Sequence, residues 1–200
     1  MKKLLFISYY FFSQLGFAQT AEEYLDWGIE NHMLQDYKGA IADFNVAIEL
    51  NPKDGKAYSN GGTAKSELED YRGAIADFSI AIELNPKYAI AFYNRGLAKV
   101  SMQNNTGVIE DYSYAIELNP KDESVYLNRG IANNNLQDYF SVIADYTQAI
   151  ELNAKDEQPF FNRGLARVFL GQKDSGCLDF SKAGELGYEK AYDMIVKLCK

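Results

Sequence analysis

Glu49-Leu50-Asn51-Pro52 returns as Glu83-Leu84-Asn85-Pro86 and as Glu117-Leu118-Asn119-Pro120, each time after 34 residues, and once more, altered, as Glu151-Leu152-Asn153-Ala154. The same step carries Ala40-Ile41-Ala42-Asp43-Phe44 onto Ala74-Ile75-Ala76-Asp77-Phe78. It also carries Asn94-Arg95-Gly96 onto Asn128-Arg129-Gly130 and Asn162-Arg163-Gly164. A fixed period of this length marks an array of helix-turn-helix units. Each hairpin is too small to bury its own apolar face and does so against its neighbours.

The residues inside one period explain the hairpin. Gly28, Gly62, Gly96, Gly130 and Gly164 share one place in the first helix, where the second helix crosses it. Close approach of the backbones there outweighs the cost of about 1 kcal/mol that glycine carries in a helix. Ala47, Ala81, Ala115, Ala149 and Ala183 serve the second helix in the same way. Tyr58, Phe92, Tyr126 and Phe160 fill the first helices, and Phe44, Phe78, Tyr112, Tyr146 and Phe180 the second. Asn-Pro ends the second helix, because proline lacks a donor and disfavours the helical conformation before it.

These residues resemble the tetratricopeptide repeat family, with units at 21–54, 55–88, 89–122, 123–156 and 157–190. The resemblance implies an all-α fold: a right-handed superhelical solenoid of five repeats with a C-terminal capping helix at 189–200. In that last segment Ala191, Met194, Ile195 and Leu198 form an apolar face suited to cover the open end of the stack. Some places depart from the pattern. Val108 and Val142 stand where Ala40 and Ala74 do, which is expected to splay units three and four. Ala154 replaces the terminating proline. Glu30 replaces the small residue of Ala64, Ala98, Ala132 and Ala166, as suits an atypical terminal unit.

The segment 1–18 has the pattern of a secretory signal. Lys2 and Lys3 precede a mostly apolar stretch from Leu4 to Phe17, and Gly16 and Ala18 are small residues at the places a signal peptidase reads. The stretch is short for a membrane span, which needs about 20 residues. The expectation is an exported protein, periplasmic or secreted after cleavage near Ala18. An uncleaved anchor is the alternative, and it would be the only membrane contact. Beyond residue 18 there are 18 basic against 28 acidic residues, a net −10. Such a surface repels phosphate backbones and anionic lipid, so nucleic acid is not an expected partner.

Reactive constellations are missing from the sequence. One histidine, His32, and two cysteines cannot build a metal site at recognised spacing. No phosphate loop or nucleophile elbow occurs. His32 is expected on the surface of the first unit. No cofactor, metal or enzymatic activity is expected. Asp43, Asp77, Asp111, Asp145 and Asp179 recur at the repeat step, as do Arg95, Arg129 and Arg163, which suggests guanidinium–carboxylate pairs between helices rather than one active site. The alternative is that each points into water. Cys177 and Cys199 fall on helices expected to run antiparallel, and an oxidising compartment would permit a disulfide. The alternative is two buried thiols.

In proteins of the family this chain resembles, the place held by Asn60, Asn94, Asn128 and Asn162 faces the concave groove. Amides spaced along such a wall can donate to and accept from an extended backbone. Neighbouring groove places carry Tyr93, Leu127 and Phe161, then Leu97, Ile131 and Leu165, which suits a peptide with apolar anchors. The first unit breaks the series with Asp26. Equally, the amides could bond only to neighbouring helices and the apolar residues could be core. A clamp for the acidic C-terminus of heat-shock chaperones would need several groove cations, and here only Lys56 is present. The resulting expectation is a non-catalytic scaffold or adaptor that binds a protein or peptide. The alternative is a structural module that self-associates.

Overall fold

The computed structural model describes residues 19–199. Among them lie eleven α-helices and no strand: α1 Ala21–Met33, α2 Tyr37–Leu50, α3 Gly55–Glu67, α4 Tyr71–Leu84, α5 Ala89–Ser101, α6 Asn105–Leu118, α7 Glu123–Asn135, α8 Tyr139–Leu152, α9 Glu157–Phe169, α10 Lys173–Glu185 and α11 Lys190–Leu198. Each helix packs on the one before and the one after, so five hairpins stack into a solenoid closed by α11. The signal-like segment 1–18 lies outside the described residues.

The glycine at each crossing admits an aromatic ring from the second helix. A Cβ at Gly96 would sit 2.5 Å from Tyr112 Cε1, and one at Gly164 2.8 Å from Phe180 Cε1. The alanines of the second helices are buried, as are Phe44, Phe78, Tyr112, Tyr146 and Phe180. Apolar clusters run across the unit boundaries: Ala64 of the second unit joins Ala40 and Phe44 of the first, and Ala98 joins Ala74 and Phe78. Glu30, the counterpart of Ala64, is exposed. Among the described residues no second helix of a preceding unit packs there. Val108 and Val142 are fully buried in their clusters.

Two features of the turns were not read from the sequence. The first helix of every unit ends in a Schellman motif. Asp36 N–H donates to the Asn31 carbonyl and Gln35 N–H to His32, and the same pair of bonds recurs in each later unit. The residue at the left-handed position is Gln35, Glu69, Gln103 and Gln137, with φ between 57° and 62°, and glycine only at Gly171. The next residue then caps the second helix. Asp36, Asp70, Asn104 and Asp138 each accept from a backbone N–H three residues on. Secondly, proline does not determine where the second helix stops. α8 ends at Leu152 although Ala154 follows. The shared element is the asparagine: Asn51, Asn85 and Asn153 each accept the N–H two residues ahead, at 3.3, 3.1 and 3.1 Å, forming a turn that competes with the helix.

The arginines and aspartates form a ladder. Arg95 donates through Nη2 to Asp111 at 2.6 Å and through Nη1 to Ser79 at 3.0 Å. Arg163 does the same to Asp179 and Thr147, at 2.8 and 3.0 Å. Each guanidinium therefore joins its own hairpin to the second helix of the preceding unit. It also lies over an aromatic ring, Phe92, Tyr126 or Phe160. A further donor one helical turn along completes each carboxylate: Lys99 on Asp111, Asn133 on Asp145 and Arg167 on Asp179. In the first two units this second donor holds the carboxylate, Asn31 on Asp43 and Lys65 on Asp77. Trp27 and Gly61 occupy the arginine's place.

Candidate functional site

The first helices of the units form one wall of the solenoid, on which the residues expected to line a groove fall into three groups. Leu97 on α5 and Ile131 on α7 are exposed, at 40% and 49%. Tyr93, Leu127 and Phe161 are half-buried. Tyr93 packs against the Phe92–Tyr112 cluster, Leu127 against Val142 and Tyr146, and Phe161 against Phe180. Leu165 and Phe161 also belong to the cluster covered by Tyr188, just before α11, and by Met194, Ile195 and Leu198 on it. The capping helix thus draws the fifth unit's apolar residues into the core, and the accessible apolar part of the wall lies on α5 and α7. Ile90, one turn before Asn94, is 47% exposed there as well. It escaped the sequence reading because its counterparts Lys56, Ser124 and Gln158 are polar.

The four asparagines are half-buried. Asn128 Nδ2 donates to the Tyr93 hydroxyl at 3.1 Å, and Asn162 Nδ2 to the Tyr146 hydroxyl at 3.4 Å. Asn60 and Asn94 make no such bond among the described residues. Burial pushes the Tyr146 phenol up to about 12, a rise that the Asn162 bond opposes. Burial likewise raises Tyr93, with the Asp122 charge adding to it. The Tyr112 hydroxyl is buried with no hydrogen-bond partner among the described residues. Three of the five rings at this crossing are phenylalanine, so the two hydroxyls are not required for packing.

Away from the wall, His32 is half-buried rather than on the surface. Its ring meets Tyr37 edge-on at 5.3 Å, and its Nε2 has no partner. Cys177 on α10 and Cys199 after α11 are joined by a disulfide, with Cα atoms 5.7 Å apart. Among the described residues no group of His, Cys, Asp or Glu is placed to hold a metal ion, and no helix is long and apolar enough to cross a membrane.

This architecture defines a helical-repeat solenoid: a stack of hairpins with an amide-bearing, partly apolar wall. More narrowly, its fold is that of the tetratricopeptide repeat proteins, and residues 62–103 match the family model described as TPR repeat. A crystal structure of MamA superposes with a TM-score of 0.79 at 22% identity, covering 86% of this chain and 94% of that one. YrrB, described as a TPR protein with an unusual peptide-binding site, gives 0.76 at 19% identity over 84% and 86% of the two chains. The first TPR of Spaghetti (RPAP3), bound to the HSP90 peptide SRMEEVD, gives 0.58 at 22% identity over 60% and 95%. No curated protein sequence matches.

Proposed function

We propose that this protein is a non-catalytic scaffold or adaptor of the periplasm or cell envelope, and that it binds a peptide segment along the wall formed by α3, α5, α7 and α9. The observation that carries this reading is the pairing on α5 and α7 of exposed aliphatic residues, Ile90, Leu97 and Ile131, with half-buried amides, Asn94 and Asn128. An extended peptide needs such a combination: apolar pockets for its side chains and donor–acceptor groups for its backbone. The peptide-binding site named for YrrB and the HSP90 peptide bound to the Spaghetti repeat support it as precedents on the same fold. The groove cations wanted for an acidic chaperone tail are lacking beyond Lys56, so the peptide taken here differs in chemistry. Support for export comes from the charge-then-apolar pattern of residues 1–18 and from the Cys177–Cys199 bond, which persists in oxidising compartments.

The test is affinity capture from envelope extract with the purified protein, compared with an Asn94→Ala/Asn128→Ala double variant of unchanged helical content. Partners lost with the variant support the groove. Equal recovery of all partners by both forms removes it. Light scattering on the protein alone separates this reading from self-association, which would make the apparent mass rise with concentration.

A further inference from the structure

Unit three differs from its neighbours in one local arrangement of hydroxyls and amide. At the boundary of units four and five, the ring hydroxyl of Tyr146 accepts from Asn162. The equivalents one unit earlier are Tyr112 and Asn128, yet that bond is not made. Asn128 turns instead to Tyr93 Oη at 3.1 Å, and the Tyr112 hydroxyl, on a fully buried residue, is left without a partner. Tyr93 is the cause. Its counterparts Leu25, Leu127 and Phe161 carry no polar group, and Ser59 stands beside Phe78, which has no hydroxyl, so among the described units only here do two hydroxyls compete for one amide. The rings of Tyr93 and Tyr112 lie 5.7 Å apart between centroids, which puts all three groups in one place. An unpaired buried hydroxyl is unfavourable, and phenylalanine at 44, 78 and 180 shows that the fold does not need it.

We propose that Tyr93, Asn128 and Tyr112 form a notch that reads one peptide group of an extended, uncharged segment. The inference rests on the peptide-groove reading above. As the structure stands, the Tyr93 proton and the Asn128 carbonyl oxygen have no hydrogen-bond partner among the described residues: one donor and one acceptor side by side, the complement of a peptide C=O and N–H. When the ligand carbonyl accepts from Tyr93 and its N–H donates to Asn128 Oδ1, the Asn128 amino group turns to Tyr112, as Asn162 already does to Tyr146. Every polar group is then partnered. A carboxylate would leave Asn128 Oδ1 facing negative charge, and an ammonium would leave the Tyr93 proton facing positive charge. The inner places of α5 and α7 are Ile90, Asn94, Leu97 and Ser101, and Ser124, Asn128, Ile131 and Asn135, none of them charged, while the Asp122 carboxylate that caps α7 and reaches Tyr93 adds to the exclusion of an anion. Leu97 and Ile131 flank the notch and take apolar side chains on either side of the bound group.

The test uses a bead-bound library of N-acetylated, C-amidated heptapeptides of uncharged residues, screened against the purified protein. Hits are titrated by calorimetry into wild type, Tyr93→Phe, Tyr112→Phe and Leu97→Ser. The expected result is at least about tenfold weaker binding to both phenylalanine variants. Tyr112→Phe should at the same time raise the melting temperature of the free protein. A merely structural hydroxyl would move the melting temperature without moving the affinity. Peptides that bind wild type and both phenylalanine variants equally, but are lost with Leu97→Ser, overturn the notch and leave the groove standing. A library from which wild type retains nothing overturns both. Affinity that falls more than about threefold between about 50 and about 500 mM salt shows ionic recognition and also overturns the notch.

Discussion

Arg129 grips Asp145 through Nε and Nη2, the latter at 2.6 Å, while its Nη1 reaches Ser113, so one side chain ties α7 to both α8 and α6. The carboxylate is nearly fully buried and the guanidinium about one-fifth exposed. Removing the cation strands a buried charge with only Asn133 for company. Arg129→Met is therefore expected to cost about 2 kcal/mol, less than the roughly 3–5 kcal/mol of a fully buried pair because the arginine keeps some contact with water. Urea melts would measure this. Replacing both partners by apolar residues, as in Arg129→Met/Asp145→Leu, should recover most of the loss. An unchanged midpoint in the single variant would mean that the pair contributes nothing.

The ladder was legible because both residue types repeat at the unit step, and a planar guanidinium beside a buried carboxylate follows from chemistry alone. Its third member was not. Ser79, Ser113 and Thr147 are ordinary helix-surface residues in sequence, and only the stacking of one hairpin on the next brings them within reach. The groove shows the same boundary. The places of Leu97 and Ile131 followed from the period, whereas the cover that α11 draws over Phe161 and Leu165 depends on where the last helix docks. The unpartnered Tyr112 hydroxyl was equally hidden. Phenylalanine and tyrosine both occur at that place, and nothing in the period says which of two hydroxyls an asparagine will choose.

Gly61 occupies the arginine's place in the second unit, and a Cβ there would lie 3.2 Å from Asp77 Oδ2 and 3.8 Å from Phe44 Cβ. Lys65 is the only cation on Asp77. Gly61→Arg is expected to extend the ladder to Asp77 and towards Asn45, raising stability by about 1 kcal/mol from the new charged hydrogen bonds and the removal of a helix-interior glycine. Hydrogen exchange should slow at the boundary of units one and two and stay unchanged in units four and five, because a solenoid passes stability only between neighbours. Faster exchange at that boundary would show the site is too tight to accept the side chain.

Among the described residues, Asp43 is the ladder carboxylate with no cation beside it. Burial holds its pKa above the usual 3.8, with the Asn31 hydrogen bond opposing and the Asp36 charge adding to the rise. A folded-state value above the unfolded one means the folded chain takes up this proton first on acidification. The group's favourable contribution is thus fully present below 3.8 and is lost as pH rises through the folded value. Asp43→Asn removes the half-buried charge and can still accept from Asn31. It should be more stable than wild type at neutral pH, and the gap should close as pH falls towards the carboxylate range. A gap that is constant with pH would show that the proton plays no part.

Gln137 holds φ 60° at the end of α7, where the fifth unit uses Gly171 at φ 77°. A side chain in that region costs about 1–2 kcal/mol, partly offset by the greater entropy a glycine loses on folding. Gln137→Gly is expected to gain up to about 1 kcal/mol, or roughly 2–4 °C in melting temperature for a chain of this size. The reverse change, Gly171→Gln, should lose a similar amount. If both exchanges leave the melting temperature where it was, the left-handed turns are not strained by their side chains.

The disulfide acts at one end of a structure that communicates only through neighbours, so its effect should be local. Cys177 and Cys199 lie 22 positions apart in sequence, a loop for which the chain-entropy estimate is about 3 kcal/mol. What it fastens is α11, and beneath α11 lie Phe161, Leu165 and Phe180, all of which would meet water if the helix left. Cys199→Ser, or reduction of the wild type, is expected to release α11 and the end of α10. Amide protection should fall across residues 173–198 while α1 to α4 keep theirs. The exposed apolar end should then bind a hydrophobic dye. A thiol titration of the denatured, unreduced protein provides the companion measurement, since two free thiols would mean that docking of α11 rests on apolar contact alone. Protection that falls evenly along the whole chain would argue instead for a single cooperative unit, in which the bond stabilises every hairpin at once.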